Sequence, residues 1–326
     1  MAEFAFFDTK PYDRPQFEKY GKSAGVNFKF YESKLNIDTA ALADGCAGVV
    51  AFVNDVLDEA VISRLHGMGV RLAALRCAGF NNVDIKAARG KIHVVRVPAY
   101  SPNAIAEHAM AMLLTSVRRI HKAYNRTREF NFSLRGLVGF NLYGKSVGVI
   151  GTGRIGKAFI KICEGFGMKV SAYDVFKDTD SGINYVSLDD IFTKSDIISL
   201  HCPLTPETVH IISAESIAKM KKGVVIVNTS RGGLIDAEAL TEAIKNKKVG
   251  AACLDVYEEE SDIFYEDKSG HILQDDVLAR LISMPNVLLT SHQAFLTEEA
   301  LENIAEITVG NIIAFLKGGK LENEVT

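Results

Sequence analysis

Val147-Gly-Val-Ile-Gly151-Thr-Gly153-Arg154-Ile155-Gly156 is the stretch that decides the fold. An apolar run leads straight into G-x-G-x-x-G, and helix-like spacing follows. Strand, tight turn and helix are the context this glycine pattern needs before it carries meaning. Gly151 permits the turn, Gly153 lets backbone approach a pyrophosphate, and Gly156 lets helix and strand pack closely. Free N–H groups at the start of the helix favour phosphate charge. Alone the pattern is weak, because glycine also marks ordinary turns.

Two neighbouring features strengthen it. Asp174 ends the next apolar run, Ser171-Ala-Tyr-Asp174, close to the spacing of about 20 residues expected for an acid that holds the adenosine ribose hydroxyls. A carboxylate there repels a 2′-phosphate, so NAD is favoured over NADP. The bland alternative is a strand-end Asp that caps a turn. Two later strand ends, His201-Cys202-Pro203 and Asn228-Thr229-Ser230, carry loop-forming residues where open parallel sheets bind ligands.

Working outward, the chain alternates short apolar runs with helical spacing. Strands are predicted at Phe4–Phe7, Val26–Tyr31, Val49–Val53, Leu72–Leu75 and Val94–Val97. A second series follows at Ser146–Ile150, Lys169–Tyr173, Ile197–Leu200, Val224–Val227, Ala251–Asp255 and Val287–Leu289. Such alternation means α/β with parallel sheets. Between the series, Ser101-Pro102 opens an Ala- and Met-rich helix running to about Arg119. A last amphipathic helix, about Thr297 to Leu316, places Leu301, Ile304, Thr308, Ile312 and Phe315 on one face. Whether it packs on the second domain or crosses back to the first is open from sequence.

The bulk numbers bound the rest. A chain of 326 residues fits two domains. A net charge of −3 gives no reason to expect nucleic acid or an anionic membrane as partner. The N-terminus lacks a basic region followed by a long apolar run, and no stretch reaches membrane-span length. Cys46, Cys77, Cys163, Cys202 and Cys253 are odd in number and widely spaced. They read as reduced thiols in a cytoplasmic protein, with no metal or disulfide pattern.

Hydride chemistry on a 2-oxo acid needs a cation for the carboxylate, a proton donor for the developing alkoxide, and a group that keeps the donor charged. Arg binds carboxylate bidentately, His donates near neutral pH, and an adjacent carboxylate favours the imidazolium. Arg231, His292 and an acid from the run Glu258-Glu259-Glu260 each follow a predicted strand. Singly, a surface Arg, a charged loop and a structural His are the plainer readings. All three holding together downstream of a dinucleotide fingerprint is a poor fit to chance.

Taken together, these residues resemble the D-isomer-specific 2-hydroxyacid dehydrogenases, and within them most closely the bacterial fermentative branch that acts on D-lactate. The resemblance covers nearly the whole chain. It rests on Arg76-Cys-Ala-Gly79-Phe-Asn-Asn-Val-Asp84, Val97-Pro-Ala-Tyr100, the Gly151–Gly156 fingerprint, His201-Cys-Pro-Leu-Thr205, Val227-Asn-Thr-Ser-Arg231-Gly-Gly-Leu-Ile-Asp236, Asp255-Val-Tyr-Glu258-Glu-Glu260 and His292-Gln-Ala-Phe295. It implies that Arg231 binds the substrate, that His292 is the acid–base, and that Glu260, with Glu258 and Glu259 as rivals, pairs with it. It further implies backbone N–H groups from Ala78 and Gly79 on the carboxylate, Tyr100 and Phe295 as pocket walls, and NAD contacts from Arg154, Ile155, Cys202, Pro203, Thr208, Thr229, Ser230 and Asp255. The implied architecture is two Rossmann-like or flavodoxin-like domains: a discontinuous substrate domain, 1–100 plus 296–326, and an NAD domain, 101–295, with a cleft that closes by hinge motion. The resemblance also implies a homodimer, or a homo-oligomer built from such dimers, through the NAD domains, for which the Ala- and Met-rich helix is a suitable surface.

The long acidic stretch Tyr257–Asp276 matches the lactate-type members, and the Ala78–Asn82 loop has no basic residue for a phosphorylated substrate, although Arg76 lies just before it. Pyruvate is therefore the expected substrate. Phenylpyruvate or another larger 2-oxo acid is the near alternative, and a non-catalytic NAD sensor is the alternative of a different class.

Overall fold

The computed structural model describes residues 1–260 and 263–326. They form two compact units, Met1–Ser101 with Leu296–Thr326, and Pro102–Phe295.

In the first unit, β1 (Ala2–Phe6), α1 (Arg14–Ala24), β2 (Val26–Phe30), β3 (Gly48–Ala51), α2 (Glu59–Gly67), β4 (Leu72–Leu75), α3 (Ile85–Ala88) and β5 (His93–Val95) follow one another. All five strands are parallel, in the order β2-β1-β3-β4-β5. The β3 and β4 residues are buried throughout, as strands covered on both faces must be. Phe6, Phe17 and Phe28 pack edge-on between α1 and the sheet, with centroids 4.7–5.9 Å apart, an arrangement worth about 0.5–1.5 kcal/mol per pair beyond area burial.

The second unit contains α4 (Pro102–Arg118), α5 (Ile120–Arg128), β6 (Ser146–Ile150), α6 (Arg154–Gly165), β7 (Lys169–Tyr173), α7 (Leu188–Lys194), β8 (Ile197–Leu200), α8 (Ala214–Lys219), β9 (Val224–Asn228), α9 (Ala237–Lys245), β10 (Val249–Leu254), α10 (Asp276–Ser283) and β11 (Val287–Leu289). Its six parallel strands run β11-β10-β9-β8-β6-β7. The chain steps outward from β6 to β7, then back across to β8. The end of β6 is thus a switch point, where ligands bind in this class of sheet. Strand β10 begins earlier than predicted because its register shifts at Gly250; a Cβ there would lie 2.4 Å from the Gly223 carbonyl. That bulge interrupts the apolar pattern on which the prediction relied.

The face of α4 expected to meet a second subunit is core. Ala106, Ala109, Met110, Met112 and Leu113 are buried with Val147, Phe159 and Cys253 of their own unit. Small side chains let α4 sit close to α6 and β10, which explains the composition without a partner.

The final helix, α11 (Glu298–Leu316), belongs to the first unit. Lys19 and Tyr20 of α1 both reach Glu302 on it, at 2.8 and 3.1 Å. Thr297 caps it by accepting the Ala300 N–H, a cap worth about 1 kcal/mol. Its buried face is centred on Ala300, Ile304, Thr308 and Ile312, with Ala305 and Val309 beside them. Leu301 and Phe315, expected at the centre, lie only half-buried at the margin. Among the described residues no helix is long and apolar enough to cross a membrane.

Candidate active site

The G-x-G-x-x-G loop is built as its glycines require. Gly151 has φ +95°, and a Cβ on it would lie 2.5 Å from the Cys202 nitrogen. A Cβ on Gly156 would lie 2.0 Å from the Gly151 carbonyl oxygen. Gly153 differs: a Cβ there meets no protein atom within 4 Å. No neighbour within the chain demands a glycine here, and the open space at this turn fits a pyrophosphate cradle. Gly153 is the N-cap of α6, and the first helical bond is Lys157 N–H to the Gly153 carbonyl. The N–H groups of Arg154, Ile155 and Gly156 thus remain for an anion.

Asp174 stands at the end of β7 beside this loop. One oxygen accepts the Thr152 N–H at 2.6 Å and the Thr152 hydroxyl at 3.0 Å; the other accepts the Phe176 N–H at 2.9 Å. The turn-capping role and a ribose role are compatible, because a carboxylate offers about four acceptor sites. The loops after β8 and β9 are tied together: the Ser230 hydroxyl donates to the Cys202 carbonyl at 2.7 Å. Thr208 closes the β8 loop by donating to the Pro203 carbonyl at 2.7 Å. The Thr229 hydroxyl is buried without a partner among the described residues. An orphaned donor on the loop that Ser230 ties to Cys202 fits a bound dinucleotide.

Arg231, Glu260 and His292 follow β9, β10 and β11. These strands are adjacent and parallel, so the topology gathers the three residues at one edge of one sheet. His292 Nδ1 lies 2.7 Å from Glu260 Oε1, and Glu260 Oε2 accepts the Tyr257 N–H at 3.0 Å. The other acids of the run are placed elsewhere. Glu258 pairs with His210 at 2.7 Å, and Glu259 is exposed. The choice among three neighbouring glutamates is thereby made by geometry. Ser261 and Asp262, within the acidic stretch that follows, lie outside the described residues. Arg231 has no carboxylate partner among the described residues; one guanidinium nitrogen donates to the Ser230 carbonyl at 2.7 Å. Asn228 accepts the Ser230 N–H and donates to the Arg231 carbonyl, fixing the turn that carries the guanidinium.

His292 has φ +53°, a backbone conformation that costs a non-glycine residue about 1 kcal/mol or more. The surroundings enforce it. Its N–H donates to the Asp255 carbonyl at 2.7 Å, and its carbonyl accepts the Tyr265 hydroxyl at 3.1 Å. Asp255 was expected to touch NAD, yet it has no accessible surface. Its carboxylate accepts the N–H groups of Gln293 and Ala294, at 3.0 and 2.9 Å, and the Thr290 hydroxyl at 2.5 Å. It acts from behind the His292 loop. Tyr265 and Thr290 were missed from sequence because neither lies in a motif; their bonds form only when β10, β11 and the intervening loop meet.

In the first unit, Ala78 and Gly79 follow β4. Among the described residues their N–H groups make no backbone bond, and the Ala78 carbonyl accepts from Arg96 at 2.8 Å, whose guanidinium lies 5.2 Å over the Phe80 ring. Arg96 was not anticipated. Arg76 is buried, donating to the Asp8 carbonyl at 2.6 Å and paired with Asp13 at 3.2 Å, so it does not serve a phosphorylated ligand. Asn303 holds the Tyr100 carbonyl at 2.9 Å. Phe295, at the end of the second unit, is almost wholly buried. Among the described residues no cluster could hold a metal ion.

A family model described as the NAD binding domain of D-isomer specific 2-hydroxyacid dehydrogenases matches residues 110–294. A 2-hydroxyacid dehydrogenase homolog of Haemophilus influenzae is 53% identical over 327 residues, covering 99% of each chain. The chain belongs to the D-isomer-specific 2-hydroxyacid dehydrogenase family and is an NAD-dependent oxidoreductase. Within the family it is similar to the D-lactate dehydrogenase of Escherichia coli, 50% identical over 99% of each chain. The apo-structure of that protein superposes with a TM-score of 0.92, covering 99% of this chain and 100% of that one. The pyruvate reductase of Chlamydomonas reinhardtii superposes with a TM-score of 0.95 at 44% identity, covering 99% and 98%.

Proposed function

We propose that this chain is a D-lactate dehydrogenase that reduces pyruvate with NADH, reversibly. The observation that carries the reading is the His292–Glu260 pair at 2.7 Å, on strand ends adjacent to an Arg231 that lacks a carboxylate partner among the described residues. The likeness to the E. coli D-lactate dehydrogenase supports the substrate, as does the burial of Arg76 away from any phosphate.

When bound, NADH would supply the hydride for the carbonyl carbon. The chain does the rest. Arg231 receives the carboxylate through its planar fork. Because Glu260 occupies Nδ1, His292 presents Nε2, which donates its proton to the carbonyl oxygen as charge develops there. Glu260 keeps the ring oriented by holding Nδ1. In the reverse direction Nε2 takes the proton from the hydroxyl. We assign Ala78 and Gly79 N–H groups to the substrate carboxylate, and Tyr100 and Phe295 to the pocket wall. For NAD we assign Gly151, Gly153, Arg154, Ile155, Gly156, Asp174, Cys202, Pro203, Thr208, Thr229 and Ser230. Asp255 supports the site through the His292 loop.

We assign a substrate-binding role to the first unit and a cytoplasmic location, the latter supported by five buried cysteines that form no disulfide among the described residues. A homodimer is supported by the exposed Phe130, Phe132, Leu134, Val138 and Tyr143 on the segment after α5, 72–88% accessible; an apolar run of this kind marks an association surface.

The test is NADH oxidation by the purified protein with pyruvate, phenylpyruvate, hydroxypyruvate and glyoxylate at equal concentration. Pyruvate preferred, with D-lactate as product, is the expected result. Preference for phenylpyruvate would reassign the substrate, and NADH binding without turnover of any of them would leave an NAD sensor.

A further inference from the structure

We infer that His108 is a positioning residue for the loop that carries His292, acting through Thr290 and Asp255. The inference rests on the reading of His292 as the acid–base.

His108 lies in the middle of α4, far in sequence from the site. Its Nε2 is 3.2 Å from the Thr290 hydroxyl and 3.3 Å from Asp255 Oδ1. The Thr290 hydroxyl donates its own proton to Asp255 Oδ1 at 2.5 Å, so toward His108 it can only accept. Nε2 therefore carries a hydrogen, shared between the hydroxyl and the carboxylate. Asp255 is fully buried. Burial alone would raise its carboxyl, yet His108, Thr290 and the Ala294 N–H together hold it below the ordinary carboxylate range.

The ionised carboxylate has a geometric task. Its two oxygens grip consecutive N–H groups, Gln293 and Ala294, while its backbone carbonyl grips the His292 N–H. Three successive residues are anchored to one aspartate, and this holds His292 at φ +53°. Without the donor behind it, a buried carboxylate loses part of what offsets its desolvation. A loosened loop then lets the imidazole drift, and a misplacement of about 1 Å can cost about a hundredfold in rate. Among the described residues no hydrogen bond or ion pair joins His108 to the dinucleotide loops described above, so cofactor affinity is separate from this effect.

Three variants test this. His108→Gln keeps an N–H donor at the place of Nε2, His108→Leu keeps bulk without a donor, and Thr290→Val removes the relay. In steady-state pyruvate reduction, His108→Leu should lower kcat about tenfold or more, with the Kd for NADH from fluorescence titration within about twofold of wild type. NADH deuterated at the transferred position should show a larger isotope effect in this variant. His108→Gln should restore kcat to within about threefold. Equal losses in the Leu and Gln variants, wild-type kcat in His108→Leu, or a kcat loss matched by weaker NADH binding would each overturn the inference. If His108→Leu does not fold, Thr290→Val decides: lowered kcat with intact NADH binding supports the relay, and unchanged kcat refutes it. Wild-type turnover is measured in the same series, so failure of the acid–base reading shows separately as a wild type without activity.

Discussion

Glu260 Oε1 lies 2.7 Å from His292 Nδ1, while Oε2 of the same carboxylate is held by the Tyr257 N–H at 3.0 Å. The carboxylate is thus fixed at both ends and leaves one ring nitrogen, Nε2, for chemistry. An acid placed by a backbone N–H does not need to be found by the histidine during turnover, which is the physical content of preorganisation.

Replacing this carboxylate as Glu260→Gln exchanges a charge-assisted hydrogen bond at His292 Nδ1 for a weaker neutral one. The ring is then held less firmly, and kcat for pyruvate reduction should fall about tenfold or more. Glu258→Gln is the control, because Glu258 faces His210; its kcat should stay near wild type. A loss in the Glu258 variant and none in the Glu260 variant would exchange their roles.

Two glycines three residues apart should respond differently. Gly156→Ala puts a methyl 2.0 Å from a backbone oxygen, costing about 1–3 kcal/mol of stability or more, seen as a lowered Tm. Gly153→Ala meets open space, so Tm should be unchanged while NADH affinity falls about tenfold or more. Wild-type NADH binding in Gly153→Ala would move the pyrophosphate elsewhere.

Asp174→Ser removes the charge that would oppose a 2′-phosphate. The ratio of kcat/KM with NADPH to that with NADH should rise by about tenfold or more. Because Asp174 also holds Thr152, the NADH value itself should fall. An unchanged ratio would restrict Asp174 to holding the turn.

His201 Nδ1 is buried without a partner among the described residues, Nε2 meets the Ser199 hydroxyl at 2.8 Å, and burial pushes the ring down to about 3. The unfolded chain takes up a proton near the ordinary value of about 6.5, whereas the folded chain resists. The stability from this group is therefore complete above about 6.5 and is lost as pH falls toward 3. Part of the residue stays accessible to solvent, so the loss between pH 7 and pH 5 should be about 1–2 kcal/mol. Urea titrations of wild type and His201→Gln at both pH values check it: the gap should narrow in the variant.

The strands and the sheet edge that carries the proposed site were readable from sequence for a shared reason. Buried parallel strands are continuous apolar runs, and in this topology the residues after each run fall on the ligand edge. Arg231, His292 and the run Glu258–Glu260 could thus be placed at that edge by position, whereas Glu260 was singled out from its neighbours only by resemblance. The Gly250 bulge and the side of the chain chosen by α11 were not readable, because each depends on packing between distant segments. Asp255 shows the same limit more sharply. Its motif marked it as important, but its task is set by bonds to residues 35 to 39 positions later, which periodicity does not register.

The cysteines have a consequence for experiment. All five are buried, and burial raises the Cys163, Cys202 and Cys253 thiols to about 12, 11 and 12. Few thiolates exist in the native state, so alkylation has to wait for the structure to open. Cys46 and Cys77 lie in one unit and the other three in its neighbour. The protein thereby carries its own chemical reporters: which cysteine is labelled first names the part of the molecule that breathes first, with no added probe.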